Sequence, residues 1–432
     1  MIKIQEKPLE EKLHLVFGSA MQMKKQKPLS GSALISLDKA RRIVSAIQPL
    51  SPEWVDIPDA MGRITVRDVS AVSDCPSTDA SLKDGFAVIS SDISGASSEH
   101  PAILKVAGLL TAGQDPADLV VEPGKTIRIM TGARIPRGAD AVLSSEFAHL
   151  DDERVTIVRD AHPGRNILEH GSDVRKKELI ISAGTRLRAA HTGLLAAAGV
   201  RGIFVVGYPK IVIVATGSEL VSPGDPIGPG KVAASNLVTL QATLRELGME
   251  ARGVILHDDL ENLKQQMEPL LAECDVMLTC GGVLDGDKDL TMHAMDLLAV
   301  EPVFRRVRVG PGKGICFGRR DNSLVFNLPG GPPSNHVAFL LLALPGILRL
   351  AGHGSLMDER ITAELTCPVH GQEGWTEIVY GSVTMAAEKL LVTPVRNRSR
   401  LMAMAAADCL IELPENMKEA DTGEPVRIWK IR

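Results

Sequence analysis

Ile211-Val212-Ile213-Val214-Ala215-Thr216-Gly217-Ser218-Glu219-Leu220 opens with a continuous β-branched run and ends in a polar, glycine-bearing turn. Such a run reads as a strand. Leu237, Leu240, Leu244 and Leu247 follow at helical spacing and are closed by Gly248, a residue suited to the left-handed end of a helix. Val254 to Leu256 makes a second strand, and Leu260, Leu263, Met267 and Leu270 mark a second helix. Val276 to Thr279 makes a third strand, running into Gly281-Gly282. Alternation of strand and helix at this spacing predicts βαβ units and a parallel, doubly wound α/β sheet over 210–353. A ligand of such a sheet lies at the carboxyl ends of its strands.

Working outward, the character of the chain changes on both sides. Residues 1–33 mix Lys, Gln, Pro, Ser and Gly without periodicity and read as an extension. Ser36 caps a helix that carries Leu37, Ala40, Ile43, Val44 and Ile47 on one face. From about Val66 to Val158 short β-rich runs alternate with Gly and Pro turns, predicting a mostly β module. After Gly354 short alternating runs return, at Arg360 to Thr366, Leu390 to Val395 and Val426 to Ile431, and read as a small terminal β-domain.

The whole chain has 432 residues, a net charge of −5, 44% hydrophobic residues and 3% aromatics. A single core stops growing beyond ~250 to 300 residues, so several domains are expected. Mild acidity argues against nucleic-acid binding, and few aromatics argue against stacking of single strands. Six cysteines without a C-x-x-C pair fit a reducing cytoplasm. Val337 to Leu350 is the longest apolar stretch; Pro345 interrupts it, and it falls short of the ~18 residues of a membrane span. It is expected to be a core helix, with neither a secretory signal nor a membrane anchor.

Chemistry gathers at the glycine-bearing loops. Thr216-Gly217-Ser218-Glu219 and Gly281-Gly282, followed by the stretch to Asp289, let a backbone approach a ligand and present N–H groups to an anion. Neither loop has the spacing of a dinucleotide fingerprint or a Walker A motif. Singly, each reads as an ordinary turn; together they point to a phosphate-bearing ligand. Asp84, Asp173, Glu219, Asp258 and Asp289 recur beside such turns, and carboxylates around a phosphate are what Mg²⁺ requires. Asp258 and Asp259 read equally well as helix caps, and Asp84 and Asp173 as turn residues. Lys313, in Pro311-Gly312-Lys313-Gly314, holds an ammonium on a rigid turn, and Ser334 lies near the positive end of the apolar helix or caps it.

These motifs resemble the molybdopterin molybdenumtransferase family of bacterial MoeA and the gephyrin E domain. The most specific stretch is Ile127-Arg128-Ile129-Met130-Thr131-Gly132-Ala133 with Pro136, Gly138, Ala139, Asp140, Ala141 and Val142. Gly164-Arg165-Asn166-Ile167, Thr216-Gly217-Ser218-Glu219-Leu220, Gly281-Gly282-Val283 with Asp289, and Pro311-Gly312-Lys313 follow in family order. The resemblance implies a segmented helical domain (34–65 and 162–209), an inserted β-rich domain (66–161), the α/β pterin-binding domain (210–353) and a C-terminal β-barrel (354–432). It implies a homodimer, with a molybdopterin adenylyltransferase as a further partner. The implied reaction inserts molybdate into adenylylated molybdopterin and releases AMP, with Mg²⁺ at the diphosphate. Asp84, Asp173, Glu219, Asp258 and Asp289 resemble the family's catalytic acids, with Glu219, Asp258 and Asp289 as metal ligands. Thr216, Gly217, Ser218, Gly281, Gly282, Lys313 and Ser334 resemble its substrate-binding positions. Several positions depart from the pattern: Ala80 replaces an asparagine, Lys83 a methionine, Leu284 a serine, Gly310 a lysine and Gly331 an asparagine. The alternative consistent with these departures is a diverged protein that binds molybdopterin or finished cofactor, or acts as a scaffold, without inserting metal.

Overall fold

The structure, a computed structural model, describes residues 34–116, 119–282, 290–354, 361–386, 388–396 and 399–431. The extension 1–33, Leu284 and Asp289 lie outside the described residues. The chain forms two compact units, one from the described parts of 1–47, 209–347 and 355–432, the other from 48–208 and 348–354.

The first unit holds the α/β sheet. Its elements are β1 (Ile211–Thr216), α1 (Ser235–Glu246), β2 (Ala251–Leu256), α2 (Leu260–Glu273), β3 (Val276–Cys280), α3 (Leu290–Leu297), β4 (Glu301–Arg305), β5 (Val307–Gly310), β6 (Cys316–Arg320), β7 (Ser323–Leu328) and α4 (Pro332–Ala338). The sheet order is β2-β1-β3-β7-β6-β4. β2, β1, β3 and β7 run parallel, as the alternation requires. β6 runs antiparallel to both of its neighbours, β7 and β4, so the sheet is mixed rather than wholly parallel. The cause is local: β6 and β7 are joined through Asp321-Asn322, with Asp321 at φ 50°, and so tight a turn can only reverse the chain.

Helices cover both faces. Val212, Val214, Met277 and Val325 meet Leu263, Met267 and Leu270 of α2 and Ala294 and Met295 of α3 in one core, while α1 packs on α4, β1 and β2. Gly248 ends α1 at φ 78°, and the Met249 N–H reaches back to the Leu244 carbonyl at 3.0 Å, satisfying an otherwise open helix end.

The apolar helix runs unbroken from Pro332 to Leu350, and 78% of its most apolar 18-residue stretch is buried. It is long and apolar enough to cross a membrane by length and composition, which corrects the shorter, Pro-broken stretch expected, but its burial is that of a core helix. A π-helical turn, Phe339–Ala343, stands directly before Pro345 and shifts the hydrogen-bond register where proline has no N–H to give.

The C-terminal strands close on themselves. Thr376–Ala386 pairs with Lys389–Pro394, which pairs with Ile361–Leu365, then Pro425–Lys430, then Cys409–Leu413, which returns to Thr376–Ala386. This β-barrel encloses Val392, Cys409, Ile411 and Ile428. β5 leaves the α/β sheet and pairs with the barrel strand Thr376–Ala386, and Ile35–Ser36 adds to β5. Helix Leu37–Ser45 follows, with Arg41 donating two hydrogen bonds to buried Glu412 and lying over Trp429.

The second unit is built on a six-stranded sheet in the spatial order Ala141–Ser144, Gly85–Val88, Lys125–Ile129, Ala102–Leu110, Arg154–Ile157 and Ala148–Asp151. Around it lie the ribbons Pro52–Asp56 with Gly202–Val206 and Ala80–Ser81 with Ile167–Leu168, and helix Ala189–Ala197.

Within the first unit, α4 is held to the barrel by His336, whose Nδ1 lies 3.0 Å from the Tyr380 hydroxyl. Burial pushes the imidazole down to about 4, against an unfolded value of ~6.5. The folded state therefore favours neutral His336. This contribution to stability is full above ~6.5 and is lost as pH falls toward 4, where the folded group also takes its proton. Denaturant unfolding should show a smaller loss of stability between pH 6.5 and 4 in His336→Asn than in the parent; equal losses would remove His336 from the account.

Candidate functional site

The order β2-β1-β3 fixes where a ligand can enter. From β1 the chain moves outward to β2, then crosses back to β3 on the opposite side of β1, so the crevice opens at the carboxyl ends of β1 and β3. Register aligns those ends: Thr216 is opposite Leu256, and Cys280 is opposite both Ala215 and Leu328.

At these ends the loops touch. Gly281 has φ 112°, and a methyl there would lie 2.9 Å from the Thr216 carbonyl oxygen. Gly330, in the loop after β7, approaches the Gly281 Cα to 3.5 Å by the same measure. Only glycine combines that backbone conformation with that closeness. Asn236 at the start of α1 donates its amide to the Gly330 carbonyl at 2.8 Å, and the Thr216 hydroxyl meets Thr291 of α3 at 3.1 Å.

Glu219 folds back so that its carboxylate lies over Gly217, where a methyl would sit 2.7 Å from Oε2. The Ser218 hydroxyl accepts from the Asp258 N–H at 3.3 Å, joining the β1 loop to the β2 loop. Asp259, not Asp258, caps α2, accepting from the Asn262 N–H at 2.8 Å. The two neighbouring acids are thereby separated in role: one is spent on the helix, the other is exposed beside Ser218.

Gly312 packs on α4, with a methyl there 3.4 Å from the Ser334 carbonyl oxygen, so Lys313 and Ser334 are neighbours in the fold. Ser334 does not cap α4; the cap position is Gly331, and Ser334 stands in the first turn. The structure thus assembles Thr216, Gly217, Ser218, Glu219, Asp258, Gly281 and Gly282 at one set of strand ends and brings Lys313 beside Ser334. Asp289 lies outside the described residues.

Asp84 and Asp173 belong to the other unit. Asp84 is more than a turn residue: its Oδ1 accepts from both the N–H and the hydroxyl of Thr131, each at 2.7 Å. Those bonds, the backbone one first, hold its carboxyl below the usual range, with Arg128 adding to the effect. Asp173 lines an open hollow of about 550 Å³ formed by residues of the single turn 171–178.

Sequence reading missed Lys231, Asn236 and Thr291, and gave Thr131, quoted within its family stretch, no role of its own. Lys231 donates its ammonium to the Ser218 carbonyl at 2.7 Å. Its Pro229-Gly230-Lys231 context repeats that of Lys313 and was the available signal. Cys274 and Cys280 are buried thiols pushed up to about 11 and about 12, chiefly by desolvation, as befits core residues.

Comparison with known proteins finds matches along most of the chain. Residues 35–199 match the MoeA N-terminal region (domains I and II), 212–349 a family described as a probable molybdopterin binding domain, and 362–431 the MoeA C-terminal region (domain IV). A molybdopterin molybdenumtransferase of Bacillus subtilis is 31% identical over 410 residues, covering 92% of this chain and 94% of that one. The chain belongs to the MoeA molybdopterin molybdenumtransferase family. A Staphylococcus epidermidis molybdopterin molybdenumtransferase is 27% identical over 411 residues, covering 94% of this chain and 97% of its own. The crystal structure of a MoeA molybdopterin biosynthesis protein from Pyrococcus horikosii superposes with a TM-score of 0.72 at 30% identity, covering 92% of this chain and 98% of that one. MoeA membership places the chain in an enzyme family and among molybdopterin-binding proteins.

The close approach at Gly281 is testable. Gly281→Ala should cost about 1 to 3 kcal/mol of stability and abolish pterin binding. Gly331→Ala, where a methyl meets nothing within 4 Å, should cost less than about 1 kcal/mol. Thermal unfolding and fluorescence titration with molybdopterin would check both.

Proposed function

We propose that this protein inserts molybdate into adenylylated molybdopterin and releases AMP. The observation that supports this most directly is the pairing of exposed Glu219 and Asp258 with glycine loops at the switch point of the α/β sheet. A pterin diphosphate seated there would accept hydrogen bonds from loop N–H groups, with the Lys231 and Lys313 ammonium groups offsetting its charge.

The donor set fits Mg²⁺. Glu219 and Asp258 form no ion pair among the described residues, and Mg²⁺ needs only one or two carboxylates when phosphate oxygens and water complete its shell. Among the described residues no group of three or more His, Cys, Asp or Glu is placed to hold a metal alone. Glu219 and Asp258 would hold the ion, with Asp289 as the third acid of the proposal. When bound, it would neutralise diphosphate charge and stabilise the departing AMP phosphate. The protein's own residues do the rest: the Ser218 hydroxyl holds the Asp258 backbone in place, and Glu219 folds back over Gly217, so the two acids are positioned by the loops themselves. Asp84 and Asp173 are proposed as further catalytic acids; the two bonds from Thr131 keep Asp84 ionised.

We place this reaction in the cytoplasm, a reading supported by six free thiols, and assign the working form as a homodimer supplied by an adenylyltransferase. Sedimentation should give twice the mass of one chain; a monomer active at the same concentration would remove the dimer from the proposal.

One observation favours the second reading, a binder that inserts no metal. Gly310 offers no ammonium, and its Cα faces the Glu377 carboxylate, with a methyl there 3.1 Å from Oε2. An acid beside this loop would disfavour a dianion such as molybdate.

Purified protein with adenylylated molybdopterin, Mg²⁺ and molybdate decides between the readings when AMP and active cofactor are measured separately. Pterin binding without either product would establish the binder. Asp258→Asn should lower AMP release about a hundredfold with stability nearly unchanged. Its neighbour Asp259→Ala should cost about 0.5 to 2 kcal/mol of stability and leave the rate per folded molecule intact. The reverse pattern would exchange the roles assigned to these two acids.

A further inference from the structure

A second polar site lies in the other unit, around the corner Val206-Gly207-Tyr208. Arg63, only 6% exposed, donates from Nη2 to the Val206 carbonyl at 2.8 Å and to Glu53. Its guanidinium carbon lies 4.0 Å from the centre of the Tyr208 ring. The Tyr208 hydroxyl stands against Gly62, where a methyl would be 3.0 Å away. Gly352 packs on Val206 so closely that a methyl there would lie 2.5 Å from its Cγ2, which brings the next residue, His353, to the same corner. Arg349 donates to the His353 carbonyl at 3.4 Å. Arg186, half-buried and opposite Ile64, acts electrostatically on both Tyr208 and His353.

This corner is rich in unused hydrogen-bonding capacity. The Tyr208 hydroxyl, both His353 ring nitrogens, and the Nε atoms of Arg63 and Arg349 are buried without a protein partner. His353 itself is 2% exposed. Leaving such groups unpaired is costly, so native proteins supply a partner. Of the three arginines, only Arg63 pairs with a carboxylate among the described residues, that of Glu53, so positive charge is in excess at this corner. Burial, assisted by Arg186, pushes His353 down to about 4, so the imidazole is neutral and has one N–H to donate. Donors in excess and positive charge exclude a cation and call for a charged acceptor.

We propose that Arg63, Arg186, Tyr208, Arg349 and His353 bind a small tetrahedral oxyanion of the phosphate, sulfate or molybdate type. Its place in the chain gives it a role. The chain passes between the units at 47/48, 208/209, 347/348 and 354/355, and Tyr208, Arg349 and His353 stand next to three of those passages. A bound oxyanion ties the ends of these segments together within their unit.

The full-length protein should be titrated calorimetrically with phosphate, sulfate and molybdate against chloride at matched ionic strength. The variants are Arg186→Gln, Tyr208→Phe, which keeps the ring under Arg63, and Arg245→Gln as a control of equal charge loss. Each oxyanion should bind the parent, with about tenfold weaker binding in Arg186→Gln and Tyr208→Phe, as loss of one charge-assisted bond predicts, and no change in Arg245→Gln. The anion bound most tightly identifies the source, and molybdate binding that persists in Lys313→Ala is assigned to this corner rather than to the loop after β5. If Arg186→Gln does not fold, Arg186→Lys replaces the planar fork with a point charge and should weaken binding likewise. Equal binding in parent, Arg186 and Tyr208 variants, or binding no stronger than chloride, would mean that the corner holds water only and would overturn the proposal.

Discussion

The approach of Gly281 to the Thr216 carbonyl is the contact on which the candidate site depends. β1 and β3 are neighbours, and their loops leave the sheet side by side. A side chain at 281 would force those loops apart, and with them the loop carrying Gly330. On the other side of β1 the Ser218 hydroxyl reaches the Asp258 N–H, so the β1 loop is tied to both of its neighbours and carries Glu219 between them. The acids supply the charge, but backbone closeness decides where that charge stands.

Strand and helix alternation in 210–353 was legible because it is written in short-range periodicity, at 2 and 3.6 residues. Pairing between distant strands is not written there. That the C-terminal strands close into a barrel, and that β5 belongs to it, depends on partners such as Val309 with Thr376, far apart in sequence. The antiparallel edge was closer to legible, since Asp321-Asn322 is a turn signal between two apolar runs. The core helix through Pro345 was legible but its length was not: the helix begins at Pro332, and the π turn upstream of Pro345 has no local propensity to announce it.

The candidate site divides in the same way. Glycine loops and carboxylates were visible as residue types, yet spacing could not tell Asp258 from Asp259. The distinction rests on Ser218, forty residues upstream, and on Asn262. Asp84 likewise acquires its character from Thr131, across the sheet of its own unit. Family resemblance supplied the grouping that spacing lacked, while the departures acquire meaning only in three dimensions. At 331 the lost asparagine leaves open space, whereas at 310 the lost lysine leaves a half-buried glutamate as neighbour.

β5 is donated from the middle of the α/β domain to the barrel, and the turn carrying Lys313 grows directly from its end. The pterin-binding fold is therefore not a cassette that can be lifted out at residue 353. Excision would leave β5 with a bare edge of unpaired N–H and C=O groups, open to pairing with any other strand. It would also strip the anchorage from the lysine turn.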